Sequence, residues 1–196
     1  MDIRPVTLEG AHVRLEALDV ARHWDGLRTV LIDDELWRLT SAKVSDEASL
    51  RAYLDSAVAD VTRGAAVAFA TIDRASGRIA GTTRFGNIER KHRRVEIGWT
   101  YVGREFQRTR VNTNAKLLMF AHAFDVWGMR RVELKTSHRN LRSQNAMRRL
   151  GLVEEGVLRK HMIDDDGENR NSVYFSVIDD EWPAMRARLE GMLAAR

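Results

Sequence analysis

The stretch Arg94–Leu152, RVEIGWTYVGREFQRTRVNTNAKLLMFAHAFDVWGMRRVELKTSHRNLRSQNAMRRLGL, decides the architecture. It begins with a strand-like run, passes through the short polar loop Gln107–Asn112 and enters a long apolar helix pattern. A second strand over Arg131–Ser137, a second helix over Ser143–Leu150 and a stop at Gly151 follow. Strand, loop, helix and strand in that order make a crossover, which normally places its two strands parallel. Leu117, Leu118, Met119, Phe120, Ala121, Ala123, Phe124, Val126 and Trp127 make the helix apolar on nearly every side, as for a helix buried against a sheet. The basic loop runs straight into its first turn. A helix start leaves N–H groups unpaired and carries partial positive charge, so it is a natural seat for a phosphate.

This block resembles the acetyl-CoA core of the GNAT N-acetyltransferases, in the branch of the ribosomal-protein alanine and serine N-terminal acetyltransferases. The family's loop reads Gln/Arg-x-x-Gly-x-Gly/Ala. Gln107 matches and the spacing to the helix matches, but Arg110 stands where the glycine should be and Asn112 occupies the last position. The similarity extends more weakly from Leu8 to Glu181-Trp182. It implies an α+β GNAT-like fold over 1–196 as a single domain, a central mixed, mostly antiparallel sheet flanked by helices. It further implies acetyl-CoA as co-substrate, held by Val102, Gln107, Arg108, Thr109, Arg110, Val111, Asn112, Thr113 and Asn140, with no metal. The acceptor would be a primary amine on a peptide N-terminus or a small molecule, with a ribosomal protein as one candidate partner.

Composition sets outer limits. A chain of 196 residues fits one domain and can bury roughly 70% of its unfolded surface. The absence of cysteine excludes disulfides, thiolate metal sites and cysteine nucleophiles. No apolar run approaches the roughly 18 residues that span a bilayer, and MDIRPVTLEG lacks a signal-peptide core, so a cytoplasmic location is expected. A net charge of +4, with 32 basic against 28 acidic residues, suits a soluble enzyme with a local basic patch better than a dedicated nucleic-acid binder.

Outside the core block, His12–Ala17 alternates as an edge or half-buried strand. Asp19 is placed to cap a helix through Leu31 with Ala21, Trp24, Leu27 and Val30 on one face. Asp33–Arg38 reads as a loop carrying Trp37, and Ser45 as the cap of a helix over Asp46–Val61 ending near Gly64. Ala66–Asp73 and Ile79–Ile88 form a hairpin across Arg74–Arg78. The run Arg90–Arg94 reads as a solvated loop or as a contact for RNA or an acidic partner. Val153–Met162 and Ser172–Ile178 are strands around the polar loop Asp164–Asn169, whose Asp164-x-Asp166-Gly167 fails as a calcium loop because Met162 and Val173 fill ligand positions. Glu181–Leu193 closes as a helix with Pro183 in its first turn.

The chemistry needs an amine freed of its proton and a departing thiolate stabilised. Glu96 matches the glutamate of the branch's Glu-x-Gly-aromatic strand and is the candidate base, directly or through water; the plainer reading pairs it with Arg94 or another arginine. Many GNAT enzymes carry a tyrosine acid four residues before Gly151, where this chain has Met147. Ser143 matches the serine that the branch uses near the thiol, or it caps the helix. Asn140 matches the residue that contacts the pantetheine arm, or it is a turn residue. Trp37 either walls the acceptor cleft or belongs to the core. The six histidines show no ligand spacing; His138 and His161 fall nearest the expected site.

At pH 7 an α-amine of pKa about 7.7–8.0 is neutral in roughly one molecule in ten, and a lysine in roughly one in a few thousand. One carboxylate suits the easier case, so an α-amine is the expected acceptor. The competing class is a non-catalytic acyl-CoA sensor or a ribosome- or RNA-associated binding module, favoured by the altered loop and the missing tyrosine. Monomer and homodimer are both compatible with the sequence.

Overall fold

A computed structural model describes residues 2–164 and 166–195; Asp165, within the polar loop near Asp164, lies outside them. Eight strands form one sheet: β1 Leu8–Glu9, β2 Val13–Ala17, β3 Val67–Asp73, β4 Ile79–Glu89, β5 Arg94–Val102, β6 Arg131–Ser137, β7 Val153–Ile163 and β8 Asn169–Ile178. Their order is β1-β2-β3-β4-β5-β6-β8-β7. Every neighbouring pair is antiparallel except β5 and β6, which the crossover makes parallel. This is the mixed, mostly antiparallel sheet expected.

The helices are α1 Val20–Leu31, α2 Asp34–Trp37, α3 Glu47–Thr62, α4 Val111–Ala121, α5 Leu141–Leu150 and α6 Trp182–Ala194. Local signals set most of their ends. Asp19 caps α1, its carboxylate accepting from Arg22 N at 3.1 Å. Gly151 ends α5 at φ 104°, a left-handed conformation that costs glycine little. The cap of α3 is Asp46 rather than Ser45: it accepts from Ser49 N at 2.8 Å while the Ser49 hydroxyl accepts from Asp46 N. Asp33–Arg38 is not an open loop. Asp33 accepts from Glu35 N and starts the one-turn helix α2. α1 buries His23 with Leu27, Val30 and Leu31, leaving Ala21 exposed, because the step of four from His23 to Leu27 follows the helix repeat better than three.

Two cores hold the layers together. On one sheet face, α4 and α6 press Met119, Phe120, Trp182 and Leu189 against Phe69, Phe85, Ile97 and Phe175. On the other, α1, α2 and α3 enclose Leu27, Leu31, Trp37, Leu50, Leu54 and Tyr101. Each such large side chain contributes about 1.5–3 kcal/mol by burial. α4 is less uniformly apolar than its sequence suggests, for Asn114 and Lys116 are also buried. Asn114 Oδ1 accepts from the backbone N–H of His12 and Val13, at 2.8 and 2.9 Å, and so ties α4 to the start of β2. After Ala121 the helix widens into a π-helical turn, His122–Val126. Among the described residues no helix is long and apolar enough to cross a membrane.

Candidate active site

The parallel strands β5 and β6 pair only through Arg94–Glu96 and Arg131–Glu133. Beyond that point β5 continues to Val102 and β6 to Ser137 without a shared ladder. The sheet therefore opens between the C-terminal ends of its two central strands. β5 delivers the basic loop to one side of that opening, and β6 delivers Asn140 and α5 to the other.

Arg108 holds the loop's left-handed residue, φ 61°. Arg110, which stands in for the family glycine, is in the ordinary right-handed region at φ −73°, ψ −12°, and Asn112 is simply helical. Neither Arg110 nor Asn112 thus takes the left-handed conformation that a glycine would permit. The chain makes its turn two residues earlier, at the modest cost that non-glycine residues meet there. The Thr109 hydroxyl accepts from Val111 N at 3.2 Å and donates to Phe106 O at 2.6 Å. The N–H groups of Asn112 and Thr113, also in the first turn, have no partner among the described residues.

Gln107 donates to Val102 O at 2.9 Å and accepts from Arg142 at 3.2 Å, bracing the loop against both strand and α5. Arg110 reaches away to the Ala195 carbonyl, 2.6 Å, whereas the exposed Arg108 has no side-chain partner among the described residues. Arg104 grips Asp33 through two nitrogens, each at 2.5 Å, which joins the loop's approach to the start of α2 and holds the Asp33 carboxyl below the usual range.

Glu96 occupies the last shared rung of β5 and β6 and is 4% exposed. Its partner is not an arginine: Oε2 accepts from Lys135 Nζ at 2.5 Å and from Asn87 Nδ2 at 2.7 Å. Arg94 instead pairs with Glu133 at 3.1 Å. Oε1 accepts no hydrogen bond among the described residues and lies over Gly98, where a Cβ would stand 3.0 Å from it. Glycine at 98 leaves the carboxylate its place. Tyr174, on β8, sets its ring 5.9 Å from Lys135 Nζ; its hydroxyl is pushed up by burial first and by the Glu96 charge next, so it stays protonated at neutral pH. Lys135 and Tyr174 escaped the sequence reading, though each alternates with a core residue of its strand, Leu134 and Phe175.

Across the opening, Asn140 caps α5 through its own side chain, accepting from Ser143 N at 3.0 Å. Ser143 is therefore a first-turn residue and not the cap. It is half-buried, and its hydroxyl bonds nothing among the described residues. Met147 is core. Trp37 is 3% exposed, its rings stacked 3.9 Å from those of Tyr101 and its indole donating to Leu31 O at 2.7 Å. His138 and His161 lie against β8, on Asn171 O and Ser172 Oγ.

A bulge shapes the remaining wall. Trp99 adopts φ 48° where β4 and β5 slip register between Thr82 and Arg84. Thr100 is thereby sent to Lys116 on α4, and Trp99 and Tyr101 to the opposite face, beside Arg84 and Trp37. Lys116 Nζ donates to Thr100 Oγ1 at 2.8 Å, and burial pushes its amine down to about 7.

The Acetyltransferase (GNAT) domain family profile matches residues 12–153. A GCN5-related N-acetyltransferase from Brucella melitensis superposes with TM-score 0.90 at 33% identity, over 97% of this chain and 86% of that one. A provisionally named acetyltransferase from T. thermophilus gives 0.88 at 37% identity, over 98% and 100%. YdaF of Bacillus subtilis (strain 168), provisionally named a ribosomal N-acetyltransferase, is 27% identical over 106 residues, 54% of this chain. That alignment spans 57% of YdaF's length. With the crossover, the opened strands and the loop at the α4 start in place, the chain belongs to the GNAT acetyltransferase family.

Proposed function

We propose that the chain transfers an acetyl group from acetyl-CoA to a primary α-amine, by direct attack while both substrates are bound. The observation that carries this reading is the placement of Glu96, with one unengaged carboxylate oxygen, at the rung where β5 and β6 part. The unpaired N–H groups of Asn112 and Thr113, with Arg108, suit a pyrophosphate; Val102, Gln107, Thr109, Arg110, Val111 and Asn140 build the frame around it. Acetyl-CoA supplies the activated acyl group.

Glu96 takes the proton of the incoming ammonium, directly or through one water, and Lys135 and Asn87 hold its carboxylate in place. The Ser143 hydroxyl donates to the sulfur as charge develops there. Trp37 acts from behind the acceptor side by fixing Tyr101 and is not itself a contact surface. The likeness to YdaF, named for ribosomal N-acetylation, supports a protein N-terminus as acceptor.

Met147 at the usual tyrosine position favours the second reading, a binding module without turnover. Thiol release from acetyl-CoA separates the two. With a free-N-terminus peptide competing against its N-blocked, lysine-bearing counterpart, the free peptide is acetylated faster. Preference for the blocked peptide would overturn the α-amine assignment, and no thiol release with any amine would favour the module.

A further inference from the structure

Two destabilising features of the fold meet at Thr100. Lys116 is 4% exposed, and burial alone pushes its amine down, with no carboxylate near enough to oppose it. Enclosing an ammonium group without a counter-charge costs stability. Trp99, one residue before Thr100, is held at φ 48°, where bulky side chains are rare. Strain and desolvation of this kind persist only where the surroundings enforce them, and they gather at functional sites.

Hydrogen bonds run from the first feature to the second and on towards Glu96. Lys116 Nζ donates to Thr100 Oγ1 at 2.8 Å, its one side-chain hydrogen bond among the described residues. Thr100 Oγ1 also lies 2.8 Å from Thr83 Oγ1, and either can be the donor. If Thr83 donates, Thr100 gives its proton to Gly98 O at 3.3 Å. If Thr100 donates, Thr83 reaches the same carbonyl at 3.5 Å, a better acceptor than Met119 Sδ at 3.6 Å. Both arrangements end on Gly98. The unengaged Oε1 of Glu96 lies over that residue, in the space a side chain there would take. The Trp99 ring covers Gly86, which is paired with Glu96 across the strands. The bulge therefore sets both the floor and one flank of the carboxylate.

We propose that Lys116 is a positioning residue for the transfer: through Thr100 it locks the Trp99 bulge and so sets where the free oxygen of Glu96 stands. The role presupposes Glu96 as the base. Lys116 itself stays away from the reacting atoms, because it lies on the α4 side of the sheet. Glu96 alternates with Val95 and Ile97, which face α4, and so points to the other side.

Turnover of a peptide with a free N-terminus is measured for the parent, Glu96→Gln, Lys116→Met, Thr100→Val and Thr100→Ser. Lys116→Met is expected to lower kcat about tenfold or more, with KM for acetyl-CoA little changed and Tm no lower than the parent's. Thr100→Val keeps the shape without the hydroxyl and should show the same loss, while Thr100→Ser should recover most of it. Adding Thr100→Val to Lys116→Met should cost no more than about a further twofold, since both act through one contact. Full turnover in Lys116→Met beside an impaired Glu96→Gln would overturn the positioning role alone. A loss confined to KM, or one that tracks a lower Tm, would overturn it as well. A parent without turnover, or full turnover in Glu96→Gln, would remove Glu96 as the base and this role with it.

Discussion

Lys135 Nζ sits 2.5 Å from Glu96 Oε2, and both side chains are largely buried, 14% and 5% exposed. Residues 39 apart in the chain meet on adjacent strands at the mouth of the site. Truncating one partner of such a pair leaves the other charge uncompensated. Lys135→Met is expected to cost about 3 kcal/mol of stability, measured by urea unfolding. Glu96→Gln keeps the shape and the Asn87 side of the network. It should lower turnover with an α-amine acceptor by about 10²-fold or more. Full activity in Glu96→Gln would remove the glutamate from the proposed mechanism.

Replacing Arg108 and Arg110 together by alanine should weaken acetyl-CoA binding by roughly tenfold or more, since a hydrogen bond to a charged group contributes about 1.5–3 kcal/mol. Arg108 should account for most of the loss, because Arg110 is turned to the Ala195 carbonyl. Calorimetry at low salt reads both single variants and the double. Equal affinity in all of them would show that backbone N–H groups alone hold the anion.

Ser143→Ala preserves the backbone N–H that Asn140 caps, so α5 should keep its stability. The expected loss is in turnover, about tenfold, with the Michaelis constant for acetyl-CoA little changed. Asn140→Ala should do the reverse to stability, costing about 1 kcal/mol through the lost cap. A Ser143→Ala effect confined to the Michaelis constant would assign the hydroxyl to positioning.

Lys116 predicts a pH signature of its own. Its amine titrates near about 7 when folded and near about 10.4 when unfolded. Between those values the unfolded chain binds a proton that the folded chain does not, so stability falls as pH drops from 10 towards 7 and then levels off. Lys116→Met lacks that slope. Its gain over the parent should be largest at pH 6, of the order of 4 kcal/mol, and should shrink towards pH 10. A gain independent of pH would mean that the amine is not held in a desolvated site.

Features set by short-range chemistry were legible in the residues. Asp19 before an apolar repeat, Gly151 after one, and a polar loop entering a buried helix predict helix ends and a crossover, because a cap or a hydrophobic period involves neighbours within a turn or two. From these came the parallel β5–β6 pair and the loop at the start of α4; the candidates Glu96, Gln107, Asn140 and Ser143 came from the resemblance to the GNAT motifs. The partners of those residues came only from tertiary structure. Glu96 could not be matched to Lys135 and Asn87 until the sheet set three strands in register. Arg108, not Arg110, takes the left-handed turn because the Gln107–Val102 and Thr109–Phe106 bonds constrain the loop. Trp37 and Lys116 have surface-like sequence neighbours or a charged head, yet both are buried, since burial depends on which faces meet and not on the local pattern. Periodicity says which side of an element is apolar; only the packed layers decide which polar groups are enclosed with it.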